Sequence, residues 1–203
     1  MKNENIGKVR SNKRDKVDQL RVSVWYSYIK QRLATNTPSQ IARIIEPDKI
    51  RVVDGYITDN DKKWRNYKNG LNVPNPKLID KAESIVQGSS LIINHVLWQV
   101  MRDSVDIDLL LQQSIGKLSW EVQRVLYKSN KYDFNRKLVA NVSPKKLMQL
   151  ERLAGLDALA ALVIYLRVGV VEGKSVLDIS RAIYRTEPYR VCRRVNILRD
   201  YPD

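Results

Sequence analysis

Three segments of the chain begin with the same device, a side chain that can cap a helix followed directly by proline. The pairs are Thr37-Pro38, Asn75-Pro76 and Ser143-Pro144. Proline suits the first helical position because its missing N–H would have no partner there, and the residue before it can accept a hydrogen bond from the free N–H groups of the first turn. Gln40, three residues after Thr37, completes a capping box. Each pair therefore predicts the start of a helix.

Apolar residues recur at steps of three or four along most of the chain, which is the spacing of amphipathic helices. This spacing predicts a helix that begins at Val17 and further helices over 103–114, 118–129 and 144–169, the last with a candidate break at Gly155. The part of the last helix from 156 to 166 is apolar on nearly every side, so we expect it to form the centre of a C-terminal core.

Two further segments complete the predicted fold. Ser175, with Asp178 at the reciprocal capping position, predicts one more helix start. Residues 51–57 depart from helical spacing and read RVVDGYI, which indicates either a short hairpin that turns at Asp54-Gly55 or an irregular loop. The predicted fold class is all-α, with a short hairpin near residues 50–58 as the candidate β element.

The charge of the chain restricts its partners. Its 203 residues include 36 Lys and Arg against 22 Asp and Glu, which gives a formal net charge of +14 at pH 7. Such an excess favours a polyanion, nucleic acid above all. The start MKNENIGKVR lacks the apolar segment of a secretory signal, and the longest apolar run, 158–166, is far shorter than the roughly 20 residues of a membrane span. We therefore expect a cytoplasmic, nucleoid-associated protein with no membrane partner.

Few residues are available for catalysis. One cysteine, Cys192, and one histidine, His95, leave almost no material for a zinc site, and no metal or other cofactor is predicted. We expect His95, in an apolar context, to be a hydrogen-bonded histidine of the core or its boundary. Gly173-Lys174-Ser175 lacks the upstream glycine of a phosphate-binding loop, and Asp106 and Asp108 are too close in sequence to share a helix face. The sequence does not predict an enzyme.

The most informative segment runs from Lys62 to Pro74. Trp64 and Tyr67 are three residues apart, so they project from one side of a short helix, and Gly70 falls where a left-handed helix end is expected. The opposite side is left with Lys, Arg and Asn, which suit contacts to phosphates or to the DNA major groove. The alternative is an ordinary solvated helix face.

Ser39-Gln40-Ile41-Ala42, followed by an aromatic-bearing helix that ends in Gly70 and then Pro74, resembles the phage-repressor (Cro-like) helix-turn-helix family over residues 20–100 or so. The resemblance implies that Gln40 lies near a phosphate, that Trp64 and Tyr67 are core residues, and that the helix carrying them enters the major groove. It also implies a dimer that presents two such helices to successive turns of double-stranded DNA. The chain departs from the family in its long connection, residues 46–61, and in Lys68, where the family commonly has Glu.

These observations predict three parts: a flexible basic arm over 1–16, a helix-turn-helix-like DNA-binding domain over 17–102, and a helical C-terminal domain over 103–203 for self-association or partner binding. The predicted function is a transcriptional regulator or a DNA-binding accessory factor of a mobile element, acting as a homodimer. Replacing Lys63, Arg65 and Lys68 with Ala is expected to weaken DNA binding without changing helix content. The predicted DNA contacts are Gln40, Arg43, Lys62, Lys63, Arg65, Asn66, Lys68 and Asn69.

A second basic set lies near the C-terminus, where tyrosines alternate with arginines as in proteins that stack single-stranded bases. This set predicts a contact with RNA or with a partner; the alternative is pairing with the acidic residues of 103–108. A different class of function also stays open, a protein-interaction module (an inhibitor or adaptor) that docks an acidic surface. The arginines of this set are Arg181, Arg185, Arg190, Arg193 and Arg194.

Overall fold

Helices dominate the computed structural model of the chain, which describes residues 15–53, 56–58, 61–102, 104, 106–127 and 138–186. The all-α prediction is confirmed. Short 3-10 turns span Pro47–Lys49 and Ile115–Lys117, and Leu110–Ser114 is wound as a π-helix. The helices are α1 (Lys16–Arg32), α2 (Pro38–Ile45), α3 (Lys62–Lys68), α4 (Pro76–Ile85), α5 (Ser89–Ile93), α6 (Val96–Val100), α7 (Ile107–Leu109), α8 (Trp120–Leu126), α9 (Pro144–Leu153), α10 (Leu156–Val171) and α11 (Leu177–Arg185).

The three predicted cap-and-proline starts are confirmed. The side chain of Thr37 accepts the N–H of Gln40, whose own side chain accepts the N–H of Thr37 at 3.1 Å, so the capping box of α2 is closed. The side chains of Asn75 and Ser143 each accept a backbone N–H of the first turn and so cap α4 and α9. The helix over 144–169 breaks at Ala154 and Gly155, as expected, into α9 and α10.

The predicted start at Ser175 is wrong. Helix α11 begins at Leu177, its N-cap position is Val176, and no side chain caps it. Asp178 lies 3.5 Å from Arg181 instead of reaching back to the helix start. The residues before α11 form the turn that closes α10, in which Lys174 donates its backbone N–H to the carbonyl of Gly169. Val176 packs so closely on Gly169 that a Cβ at position 169 would clash with the Val176 side chain.

Thr37→Ala tests how much the capping box contributes. The substitution removes the acceptor for the N–H of Gln40, so we expect the free energy of unfolding to fall by about 1 kcal/mol. Thr37→Ser keeps an acceptor oxygen in the same place and should stay close to wild type. Chemical denaturation of both variants measures the difference, and equal stability of the two would show that the cap does not stabilise α2.

The hairpin near residues 50–58 is present. Strands β1 (Arg51–Val53) and β2 (Tyr56–Thr58) pair antiparallel, with Val52 opposite Ile57. Asp54 and Gly55, the predicted turn, lie outside the described residues. The hairpin and the preceding 3-10 turn occupy the long connection between α2 and α3, and these two helices pack against each other.

The two predicted halves of the chain share one continuous apolar core. The most buried part of the C-terminal half is α10, as expected, and it packs against α6 of the N-terminal half. Arg167 of α10 donates to the carbonyls of Val100 and Arg102, both at 2.9 Å. Arg102 in turn binds Asp15 at 3.1 Å and Asp18 at 2.8 Å. Hydrogen bonds from Arg167 therefore cross the predicted boundary near residue 102, and ion pairs tie Arg102 itself to the start of α1.

Several predicted limits shift. Asp15 caps α1 and Lys16 is its first residue, so the predicted arm ends before them; residues 1–14 lie outside the described part. The helix predicted over 103–114 begins only at Ile107, and its α-helical winding passes into the π-helix after three residues. The helix predicted over 118–129 is the shorter α8.

Candidate nucleic-acid interface

Helix α3 is held on its inner side by stacked aromatic rings. Trp64 and Tyr67 are buried, as predicted, with 1% and 4% of their surfaces exposed. Trp64 stacks on Trp25 of α1 with ring centres 5.9 Å apart and planes 15° from parallel, and Tyr67 meets both indoles edge-on. Three large rings in mutual contact fix both the depth and the rotation of a helix only two turns long.

The end of α3 is fixed by Gly70. Its φ of +65° confirms the predicted left-handed residue, and the N–H groups of Gly70 and Leu71 donate to the carbonyls of Tyr67 and Asn66, the two bonds of a Schellman motif. A Cβ at position 70 would lie 2.4 Å from the carbonyl oxygen of Gln19. Glycine is therefore required twice, for its backbone angle and for the close approach of α3 to α1.

A buried carboxylate also anchors α3 beside these rings. Glu46, 5% exposed, accepts hydrogen bonds from Lys63 Nζ at 2.9 Å and from the Trp64 indole N–H at 3.2 Å, and Lys49 Nζ lies 2.5 Å from it. Burial raises the pKa of this carboxyl, but the hydrogen bonds and charges of the two ammonium groups outweigh burial, and the net pKa is lowered. Glu46 is therefore ionised and ties the chain after α2 to the start of α3.

This contact changes the role of one predicted DNA ligand. The Lys63 ammonium faces Glu46 and lies 6.0 Å from the centre of the Tyr67 ring. Because this ammonium is engaged inside the protein, Lys63 does not count among the cations that are available to DNA. Sequence reasoning missed Glu46, since no helical or strand period marks it; the one available signal is an acidic residue set between Ile45 and Pro47.

Asp61 forms a second link between α2 and α3. One of its carboxylate oxygens accepts from Arg65 Nε at 3.0 Å and contacts Arg65 Nη2, and the other accepts from the hydroxyl of Ser39 at 3.2 Å. Arg65 nevertheless keeps 64% of its side chain exposed. Because the guanidinium is largely exposed, solvent screens this pair, and a phosphate or a base edge can compete for the guanidinium.

The outward side of α3 carries the remaining predicted residues. Lys62, Lys68 and Asn69 are exposed and Asn66 is half-buried. No hydrogen bond or ion pair joins the side chain of Lys62 or Lys68 to any residue that the structure describes. Exposed lysines without an internal partner on a rigid helix are available to an external anion. We call Lys62, Arg65, Lys68 and Asn69 the α3 outer face.

Helix α2 carries the other two predicted DNA contacts, Gln40 and Arg43. The side-chain carbonyl of Gln40 accepts the backbone N–H groups of Asn36 and Thr37 at 2.8 and 3.1 Å, so this oxygen serves the capping box and the amide NH₂ is left as an outward donor. Arg43 is exposed and lines a shallow depression together with Gln40 and Ile44.

The second basic set is separate from α3. Arg181 and Arg185 lie on α11 and are 61% and 62% exposed. Arg181 lies 3.5 Å from Asp178 and Arg185 lies 3.4 Å from Glu151 of α9, and neither pairs with Asp106 or Asp108, the described acidic residues of the segment 103–108. Arg190, Arg193 and Arg194 lie outside the described residues, as do Tyr189 and Cys192.

A metal cluster and a membrane-spanning helix are both absent from the described ranges. Within them no group of three or more His, Cys, Asp or Glu side chains is placed to hold a metal ion. None of the helices described is long and apolar enough to cross a membrane. His95 is half-buried, accepts the N–H of Leu97 at Nδ1 and lies 3.1 Å from Asp157 at Nε2, which confirms the predicted boundary histidine.

No protein-family model, curated protein or solved structure matches the chain.

Proposed function

We propose that this chain is a DNA-binding protein that presents the α3 outer face to double-stranded DNA, with α2 and α3 as a divergent helix-turn-helix. The observation that carries the proposal is the contrast between the two sides of α3. Its inner side is fixed by the rings of Trp64 and Tyr67 and by the contacts of Glu46 with Lys63 and Trp64, which we call the Glu46 clamp. Its outer side holds cations that have no strong partner within the described residues.

The size and chemistry of the outer face suit a DNA groove. An α-helix with its side chains is about 10–12 Å across, and the major groove of B-DNA is about 12 Å wide. Arg65 and Asn69 carry the groups that read guanine and adenine, whereas Lys62 and Lys68 suit phosphates. The net charge of +14 adds a long-range attraction to any polyanion.

The biological role that follows is a transcriptional regulator or an accessory factor of a mobile element. We propose that the protein acts as a homodimer, with the C-terminal half providing self-association or a partner contact. Exposed apolar side chains support this division. Leu177 and Tyr184 are 56% and 74% exposed and lie seven residues apart, on the same face of α11. Side chains of this kind mark interaction surfaces when they are contiguous.

Fluorescence anisotropy with random duplex DNA, single-stranded DNA and RNA of equal length tests the function. We expect the duplex to bind most tightly, and its affinity to fall about a hundredfold between 50 and 200 mM salt if four or five phosphates are contacted. Tighter binding of RNA or of the single strand would favour the alternative use of the Arg- and Tyr-rich C-terminus. Failure of all three to bind at low salt would contradict the proposal and leave the protein-interaction module as the better account.

A further inference from the structure

A groove of about 770 Å³ lies where the two halves of the chain meet. The N-terminal half contributes Arg21 of α1, Asn94 and Arg102, and the C-terminal half contributes Lys117 and Ser119. A concave space of this volume suits a small molecule, since ligand pockets measure roughly 300 to 1,000 Å³.

Of the lysine and arginine side chains that line the groove, only Lys117 lacks a carboxylate partner among the described residues. Arg21, Arg102 and Lys117 line it, and Asp157 is its one lining carboxylate. Arg102 is already bound to Asp15 and Asp18, outside the lining. Lys117 is exposed, and its ammonium has no partner in the portion of the chain that the structure describes.

Asp157 is committed to His95. The Nδ1 atom of His95 accepts the backbone N–H of Leu97, so in the neutral ring the proton lies on Nε2, which donates to Asp157 at 3.1 Å. This bond joins the start of α6 to α10 across the groove and occupies the carboxylate. Asp157 keeps its negative charge in this bond, so the positive charge that the groove offers to a ligand is that of Lys117, which no described carboxylate pairs with.

Arg21 supplies an independent anomaly. Its Nη2 lies 3.2 Å from Asp18, but its Nε is buried and has no hydrogen-bond partner, one of two such side-chain atoms among the described residues. A buried N–H donor without an acceptor is uncommon in native proteins and costs free energy. A ligand oxygen in the groove that draws the guanidinium towards it would relieve this cost.

Neutral donors lie beside these cations. The amide of Asn94 and the hydroxyl of Ser119 line the groove, and neither side chain makes a hydrogen bond to another described residue. The unpaired Lys117, the open N–H of Arg21 and these two neutral groups match a ligand that is rich in acceptors and negatively charged. We propose that this groove binds a small organic anion whose phosphate or carboxylate group is held by Arg21 and Lys117.

Because the groove takes residues from both halves, a bound anion would stabilise their packing. The proposal does not depend on DNA binding, since none of these residues belongs to the α3 outer face. Inorganic phosphate, glycerol phosphate and succinate, each titrated into the full chain at constant ionic strength, serve as probes. We expect a saturable rise in the unfolding temperature with at least one of them. A stronger response to the two phosphates would assign a phosphate head, and a stronger response to succinate a carboxylate.

Lys117→Ala identifies the site, and Lys145→Ala, an exposed lysine on α9, is its matched control. We expect Lys117→Ala to lower the affinity for the probe at least about tenfold, as for the loss of one charge-assisted contact. Lys145→Ala should leave that affinity unchanged. Arg21→Gln should abolish the response, and Lys117→Ala keeps the test valid if that variant does not fold. No saturable shift with any probe, or equal responses of the wild type and Lys117→Ala, would overturn the proposal. Unchanged duplex affinity of Lys117→Ala separates this outcome from that of the DNA-binding proposal.

Discussion

Replacing Glu46 by alanine is expected to lower the free energy of unfolding by about 3 kcal/mol, at the lower end for a buried ion pair, because its lysine partners are partly exposed. The substitution leaves the indole N–H of Trp64 without its acceptor and Lys63 without its counter-charge. Denaturant unfolding followed by tryptophan fluorescence measures the loss.

Two variants bracket this result. Glu46→Gln keeps the volume and an acceptor oxygen for Trp64, so we expect a smaller loss than for Glu46→Ala. Asp48→Asn removes a nearby carboxylate that is 59% exposed and pairs with Lys81, and it should leave the unfolding midpoint close to that of the wild type. If Glu46→Ala were as stable as the wild type, the claim that Glu46 stabilises the fold through Lys63 and Trp64 would be wrong.

The same carboxylate predicts a pH dependence. In the unfolded chain Glu46 takes up a proton near its ordinary pKa of 4.5, whereas the native pKa is lower. The unfolded state therefore binds the proton first, and the stabilisation is complete above the ordinary value and lost as the pH falls through the native one. The difference in stability between the wild type and Glu46→Gln should narrow as the pH is lowered below about 4.5.

Local chemistry made much of this architecture predictable. The caps at Thr37 and Asn75 depend on residues at most three positions apart, and the inward side of Trp64 and Tyr67 follows from helical spacing alone. Gly70 was predictable for the same reason, since a left-handed helix end favours glycine.

The features that escaped prediction depend on contacts between distant residues. Glu46 meets Lys63 across 17 positions of the connection, and no period in the sequence reports such a pairing. Tertiary structure likewise determines that the Lys63 ammonium faces this carboxylate and not solvent. At Ser175 the close packing of Val176 on Gly169 prevailed over a plausible cap. The outer face of α3 was identified from its pattern, but which of its cations are engaged internally was not.

Lys63→Ala therefore tests the fold and not the interface. A variant in which Lys63 is replaced would lose affinity for DNA because α3 is destabilised, whether or not α3 contacts DNA. Lys62 and Lys68 avoid this ambiguity, because both are exposed and neither has a partner among the residues described. We expect Lys62→Ala/Lys68→Ala to retain the wild-type helical circular dichroism and unfolding midpoint.

The second large effect is on DNA affinity. Each lysine that contacts a phosphate contributes about tenfold in affinity near 0.1 M salt, so the double variant should bind a duplex roughly a hundredfold more weakly. It should also reduce the slope of log affinity against log salt by about two. The matched control is Lys117→Ala/Lys145→Ala, which removes the same charge from two exposed lysines of the C-terminal half.

The most direct test is thus a salt titration of duplex binding by these two double variants beside the wild type. The account predicts that Lys62→Ala/Lys68→Ala loses affinity and salt dependence while Lys117→Ala/Lys145→Ala keeps nearly all of both. Equal losses in the two variants would mean that net charge alone attracts DNA, and would contradict a DNA-binding surface on α3.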